Sequence, residues 1–278
     1  MKIGFQGIKG AFSEAAIYKQ YGNRADTIGY DNIDEVFDAV VDGTVDYGMI
    51  PVENSIAGSV SRSYDYFLEK PVHAVAEVYL PVRHFLLGLP GSTLPKIREA
   101  LSHPMALNQC EKFLRIHHIK PVPEYDTAGG AKIVAEQGDP TKAAIAAKLA
   151  AQYYHLEILA EDIQTTNINM TRFLVVSSEP APDVRMEKTS VAFKTKHFPG
   201  ALEECLHTLS SNKINLTKIQ SRPIPENPWE YVFYADFEGG LNDENVWVGL
   251  QQLEQAARFL KILGSYPKGD FPEEVSTS

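Results

Sequence analysis

The chain of 278 residues holds only two cysteines and two tryptophans. Cys110 and Cys205 lie far apart, neither belongs to a CxxC pair, and no Cys/His/Asp cluster has the spacing of a zinc site. A disulfide scaffold is excluded, and both thiols read as buried side chains of a reducing, cytoplasmic compartment. No uncharged run is long enough to cross a bilayer. The opening Met1-Lys2-Ile3-Gly4-Phe5 enters a strand directly, with no signal-peptide pattern. Lys/Arg runs are also missing. The formal net charge is −10, which argues against nucleic acid held across the surface. The first glycines, Gly7 and Gly10, match neither a dinucleotide fingerprint nor a Walker loop, so a nucleotide ligand is disfavoured. No metal or organic cofactor is implied.

What remains is ordinary soluble composition, 44% hydrophobic and 22% charged, in a length that suits one large or two ordinary domains. Strand and helix patterns alternate. Lys2–Phe5 is a strand, followed by a glycine loop and a helix that Ser13 is placed to cap. Asn32 and Glu35 have capping-box spacing ahead of Ile33, Val36, Phe37 and Val40, which share one helical face. A strand over 46–50 runs into Pro51-Val52-Glu53-Asn54-Ser55, where Pro51 argues against further central pairing. The branched stretch from Val72 to Leu89, broken at Pro81, reads as two strands or one bent strand crossing into a second lobe. Ser102 is a candidate N-cap, with Pro104 in the first turn and Gln109 one turn on. Thr127 opens a further helix. Asn169-Met170-Thr171-Arg172-Phe173 lies at the mouth of the strand that continues through Leu174-Val175-Val176. Repeated units of this length imply a mostly parallel α/β layer fold with polar helix starts around one crevice, a pocket for an anion.

Pro180 and Pro182 mark a linker, after which the periodicity restarts. Strand 191–193, a helix with Leu202, Cys205, Leu206 and Leu209 inward, strands 215–220 and 231–235, a helix with Leu250, Leu253 and Ala257, and a last strand at 258–264 give β-α-β-β-α-β. That is a ferredoxin-like plait, with Pro223, Pro225 and Pro228 between its middle strands and one sheet face open for a twin.

Five segments in this order resemble bacterial prephenate dehydratases with a C-terminal ACT regulatory domain. They are Gly7-Ile8-Lys9-Gly10-Ala11-Phe12-Ser13, Pro51-Val52-Glu53-Asn54-Ser55, Ser102-His103-Pro104 with Ala106-Leu107 and Gln109-Cys110, Asp126-Thr127-Ala128, and Asn169 to Phe173. The resemblance implies a two-lobed catalytic region over 1–180, similar to type-II periplasmic binding proteins. Its lobes are approximately 1–80 plus 160–180, and 81–159, and the ACT domain spans 188–270. It implies conversion of prephenate to phenylpyruvate, inhibition by L-phenylalanine, and self-association as a dimer or tetramer. Thr171 is then the catalytic group. Arg172, Ser13, Asn54, Ser102, Thr127, Asn169 and Phe173 are expected to hold substrate, with Glu53 and Gln109 behind them. Gly200-Ala201-Leu202 and Ser221-Arg222-Pro223 match the effector motifs of the family, with Gln220 where glutamate is usual, and the Asn212 to Asn215 turn is expected beside them. A solute sensor without chemistry and a dehydratase acting on arogenate are the alternative readings.

Overall fold

The computed structural model describes residues 1–166, 168–180, 185–224 and 227–271. Pro182 and Pro225, named above, lie outside the described residues. Strand β1 (Lys2–Gln6) is buried at Ile3 and Phe5 and pairs in parallel with β2 (Asp26–Tyr30) and β3 (Tyr47–Asn54). Helices α1 (Phe12–Tyr21) and α2 (Ile33–Val41) connect them, and α2 buries Ile33, Val36, Phe37 and Val40 as its spacing requires. Asn32 is the N-cap of α2, but its amide donates to Glu35 Oε1 (3.0 Å) instead of forming the reciprocal backbone bonds of a capping box. Strand β3 continues through Pro51. It can do so because β1 pairs with β3 only as far as Met49, while a register shift opposite Pro51 relaxes the other side. Strand β4 (Gly58–Ser59), helix α3 (Ser61–Glu69) and β5 (His73–Pro81) follow.

Beyond Pro81 the chain enters a second sheet. It comprises β6 (Phe85–Gly88), β7 (Glu99–Ser102), β8 (Lys120–Pro123), β9 (Lys142–Ala146) and β10 (Glu157–Ala160), in the order β10-β6-β9-β7-β8. Its helices are α4 (Pro104–Gln109), α5 (Glu111–Ile116), α6 (Thr127–Gln137) and α7 (Lys148–Tyr153). Strand β11 (Met170–Ser177) then returns between β3 and β5, antiparallel to both. The two crossings lie side by side, with Val82 N donating to Asn169 O (2.8 Å) and Ile163 N to His84 O (3.0 Å). The sheets are mixed rather than mostly parallel. Each has a parallel trio, with β11 running against the first and β6 against the second.

The C-terminal domain is β12 (Lys188–Thr195), α8 (Ala201–Ser211), β13 (Leu216–Ile224), β14 (Asn227–Glu238), α9 (Glu244–Ala256) and β15 (Ala257–Tyr266). The strand order β13-β14-β12-β15 is that of a ferredoxin-like plait. Pro223 lies inside β13, which tolerates it as an edge strand, and Pro228 lies inside β14. Both helices cover one face, over Val191, Phe193, Cys205, Leu209, Leu250 and Leu253. Cys110 and Cys205 are free and buried. The other face is not open, as the sequence suggested, but packs on α3. Tyr64 and Phe67 share a buried cluster with Ala192, Val232, Tyr234 and Leu263. Lys261 Nζ donates to the carbonyls of Phe67 (2.7 Å), Leu68 (3.1 Å) and Lys70 (3.0 Å), so a cation closes the C-terminal end of α3.

Strand β15 also pairs with β5, Gly264 opposite Ala74. A Cβ at 264 would run into the Ala74 carbonyl oxygen, so glycine permits the join. One sheet therefore runs β13-β14-β12-β15-β5-β11-β3-β1-β2, with β4 paired on β3. Among the described residues, no helix is long and apolar enough to cross a membrane.

Candidate active site

Thr171 opens β11 directly opposite Asn54 at the end of β3. Side chains alternate along a strand, so Thr171 and Phe173 face one way and Arg172 the other. Thr171, Phe173 and Asn54 face a cavity of about 550 Å³. Phe12 and Ser13 of α1 and Ser59 of β4 line it from the first lobe. His103, Gln109, Asp126 and Thr127 line it from the second, and His84 and Asn169 from the crossings.

A chain of side-chain hydrogen bonds runs along one wall, and backbone donors fix its direction. The N–H groups of Ile56 and Ala57 donate to Asn54 Oδ1 (3.0 and 2.9 Å). A backbone N–H can only donate, so the Asn54 oxygen is identified and its Nδ2 is the donor. The two hydrogens of Asn54 Nδ2 are shared among Asn169 Oδ1 (2.9 Å), Thr171 Oγ1 (3.0 Å) and, at the longest distance, Met170 O (3.2 Å). Asn169 Nδ2 then donates to Gln109 Oε1 (2.9 Å), which leaves His84 Nε2, 2.7 Å from the same oxygen, as an N–H donor. Thr171 Oγ1 is therefore an acceptor on its protein side, and its own proton is left for the cavity. His84 is almost fully buried, its Nδ1 has no hydrogen-bond partner, and burial lowers its pKa despite the bond to Gln109. It stands neutral at pH 7.

Helix starts supply the remaining polar groups. Ser13 does not cap α1: the N-cap is Ala11, and Ser13 sits within the first turn, where backbone N–H groups lack helical partners. Thr127 is the first residue of α6, behind the N-cap Asp126, whose carboxylate accepts from Gly129 N. Burial raises the Asp126 pKa, opposed by its bond from Gly129 and by His103. His103, not Ser102, caps α4, its Nδ1 accepting from Met105 N (3.2 Å).

Two expected substrate groups are elsewhere. Ser102 is fully buried at the end of β7, and its hydroxyl donates to Ile145 O (2.5 Å) in the second sheet. Arg172 is 5% exposed and faces the C-terminal domain. Its guanidinium donates to Glu77 Oε1 (2.5 Å), to Asp236, and to the Tyr266 hydroxyl (3.1 Å). Burial alone would lower the Arg172 pKa, but Asp236, Tyr266 and Glu77 raise it well above the usual value. The reason is the strand alternation: a residue next to Thr171 cannot share its face. Glu53, next to Asn54, faces away for the same reason and pairs with Lys218 Nζ (3.0 Å). Among the described residues, no lysine or arginine lines the cavity. An adjoining cavity of about 560 Å³ shares Ala57, Met105, Gln109 and Asn169 with it and carries Lys112 and Arg115 of α5.

The proposed effector residues divide into separate places. Gly200, Ala201 and Leu202 line a cavity of about 580 Å³ with Phe198, Tyr231 and Phe233. Gly200 there adopts φ 92°, a conformation that favours glycine. Asn212 lies at the opposite end of α8, bonded to Gln252, and Asn215 is bonded to Glu238. Ser221 and Pro223 are exposed on β13, but Arg222 is turned inward to Asp65 of α3 (2.9 Å).

The family model for prephenate dehydratase matches residues 3–181, which hold both lobes and all the cleft residues above. The chain belongs to the prephenate dehydratase family. It is 41% identical to arogenate dehydratase/prephenate dehydratase 2, chloroplastic, of Arabidopsis thaliana over 278 residues, 96% of this chain and 73% of that one. A prephenate dehydratase of Arthrobacter aurescens solved in complex with L-Phe superposes with a TM-score of 0.88 at 31% identity, covering 100% of this chain and 92% of that one. A structure described as GqqA, a novel type of quorum quenching acylase, superposes at 0.90 with 32% identity, covering 96% and 98%. The family therefore spans plant and bacterial members. His84, His103 and Asp126 line the cleft without having been expected there as site residues, although His103 and Asp126 lie within the segments that carry the family resemblance. Lys112 and Arg115 lie outside those segments.

Proposed function

We propose that the cleft converts prephenate to phenylpyruvate, carbon dioxide and water. The carboxylate on the ring carbon leaves as carbon dioxide, its bonding electrons enter the ring, and the ring C–O bond breaks as aromaticity is restored. The departing hydroxyl takes up a proton to become water. The reaction is redox-neutral within one molecule, so the protein has to hold a dianion, exclude water and stabilise charge growing on one oxygen. The observation that carries the reading is the bond from Asn54 to Thr171: it occupies the threonine oxygen and leaves its O–H as a directed donor. Threonine is a poor acid, so its contribution is a hydrogen bond that strengthens as the hydroxyl departs. Phe173 gives the ring an apolar floor. Ser13, Thr127, His103 and the first turns of α1 and α6 offer donors to the carboxylates. Asn169 and Gln109 hold Asn54 in place.

The test is the purified protein with prephenate, followed by the alkaline absorbance of phenylpyruvate. Arogenate is the second substrate to assay, because the Arabidopsis relative bears both activities in its name. The cleft does not favour acyl transfer, since among the described residues no cleft hydroxyl is hydrogen-bonded to an imidazole.

With no lysine or arginine lining the cleft among the described residues, Lys112 and Arg115 of the adjoining cavity, which outnumber Glu111 there, become the positive charges that draw the dianion in. Lys112→Glu/Arg115→Glu is expected to raise KM about three- to tenfold, the range for screened charges that steer an anion without touching it, with kcat unchanged. Salt should erase much of the difference. An unaltered KM at low salt would remove these residues from the function.

Feedback by L-phenylalanine belongs to the same proposal, supported by the ligand of the Arthrobacter relative. Gly200 and Asn212 are separated by the length of α8, about 18 Å. One chain cannot close both around one amino acid, so the effector would bind between two copies, which makes the working unit a dimer or a tetramer built of two such dimers. The two free, buried thiols fit a reducing cytoplasm.

A further inference from the structure

Arg172 and Glu53 are charged residues of the catalytic lobe that the reaction itself leaves unused. Their placement gives them a role. In the β3–β11 ladder, Thr171 is opposite Asn54 and Arg172 is opposite Glu53. Two adjacent rungs thus carry the donor pair on the cleft side and an ion pair on the reverse side, where Arg172 Nη1 lies 3.8 Å from Glu53 Oε2. The reverse side is closed by the C-terminal domain. Asp236 of β14 binds the Arg172 guanidinium, and Lys218 of β13 binds Glu53 (3.0 Å). Lys218 also donates to Ser59 Oγ (3.2 Å), on the strand that lines the cleft, and to the Tyr64 hydroxyl (2.7 Å) of α3.

We propose that Arg172 and Glu53 are positioning residues for Thr171 and Asn54, and that the C-terminal domain acts on the reaction through them by way of Asp236 and Lys218. The backbone of a paired strand is stiff. A pull on one rung from behind therefore displaces the neighbouring rung, whose side chains point forward. The donor geometry at Thr171 depends on a 3.0 Å bond from Asn54, and a shift of a few tenths of an ångström or a small rotation alters where its proton points. Charge-assisted bonds at both Arg172 and Glu53 make the grip strong enough to transmit such a shift. The regulatory half of this inference rests on the feedback reading given above; the positioning half does not.

Two variants of the full chain test the halves separately. Arg172→Lys keeps the charge but loses the planar fork that joins Glu77 to Asp236. It is expected to lower kcat about tenfold with little change in the KM for prephenate, the split expected when alignment and not binding is lost. Lys218→Met leaves Glu53 with its partly exposed flank in water, so the fold is retained. Its kcat is expected to stay within about threefold of wild type. Half-inhibition should need about tenfold more L-phenylalanine, while the dissociation constant for L-phenylalanine alone, by calorimetry, is unchanged. Lys218→Arg, which restores the ion pair, should restore inhibition. Inhibition of Lys218→Met at the wild-type concentration would overturn the regulatory half, and wild-type kcat in folded Arg172→Lys would overturn the positioning half. If wild-type protein itself ignores L-phenylalanine, the feedback reading fails, and the Arg172→Lys result alone decides the inference.

Discussion

Thr171→Val is expected to lower kcat by about 10²–10³-fold while the protein stays folded. The size follows from removing one directed donor at the point where charge develops, about 2.7–4 kcal/mol of barrier. The substitution keeps the branched shape at the start of β11. Asn54 Nδ2 loses one of its three acceptors but keeps Asn169 Oδ1 and Met170 O. The cost in stability is that of a single hydrogen bond, about 0.5–1.5 kcal/mol. Thr171→Ser keeps the donor and should retain most of the rate. The check is kcat for prephenate beside a denaturant melt. A Thr171→Val enzyme within tenfold of wild type would show that the departing hydroxyl is served by another group. Asn54→Asp bears on the same point: a carboxylate cannot donate to Thr171 Oγ1, so the threonine proton would turn toward the protein and away from the cleft.

Asp236→Ala is expected to cost about 3–5 kcal/mol of folding stability, more than any cleft substitution. Asp236 and Glu77 face Arg172 and Lys188 in one buried group, with Lys188 Nζ 2.6 Å from Glu77 Oε1 and Ser190 donating to Asp236 (2.5 Å). Two acids balance two bases there, so deleting one acid leaves a buried cation without its partner. Burial raises the Asp236 pKa, but Arg172 and the Ser190 bond outweigh it, and the carboxyl titrates below its usual value. The folded pKa being lower than the unfolded one, near 3.9, the contribution is fully present above the unfolded value. It is lost as the pH falls through the folded value. Urea melts of wild type and Asp236→Ala should therefore differ by a constant amount from neutral pH down to about pH 4 and converge below it. A gap that persisted at low pH would mean that packing, not charge, holds this junction.

The sequence showed the alternation of strands and helices, the plait, the break at Pro81 and the polar segments that the fold gathers into one cleft, but neither β2 nor β7. Periodicity and the spacing of short polar residues report such things directly. It did not show which way each polar side chain points. Arg172 lies beside Thr171 in the chain and was assigned to the same ligand, yet one step along a strand reverses the face. Ser102 was expected to cap the helix that Pro104 opens, but it is the last residue of β7 and the cap falls to His103. The partners of Arg172, Asp236 and Glu77, stand 64 and 95 residues away, a separation that periodicity does not encode. Nothing in the sequence near His84 marks it; only the assembled hydrogen-bond chain gives it a tautomer.

Gly264 sets a condition on how this protein can be taken apart. The plait is joined to the first lobe by a shared strand pair, a common apolar cluster with α3, and a balanced set of buried charges, and none of these depends on the peptide between residues 180 and 188. A chain cut there is expected to behave as one molecule in two pieces, like a nicked protein whose fragments find each other by complementarity. By the same logic the plait is not a portable cassette. Transplanted onto another enzyme it would present a naked strand edge, the cations Lys188 and Lys218 without their carboxylate partners, and Lys261, shaped for one particular helix end.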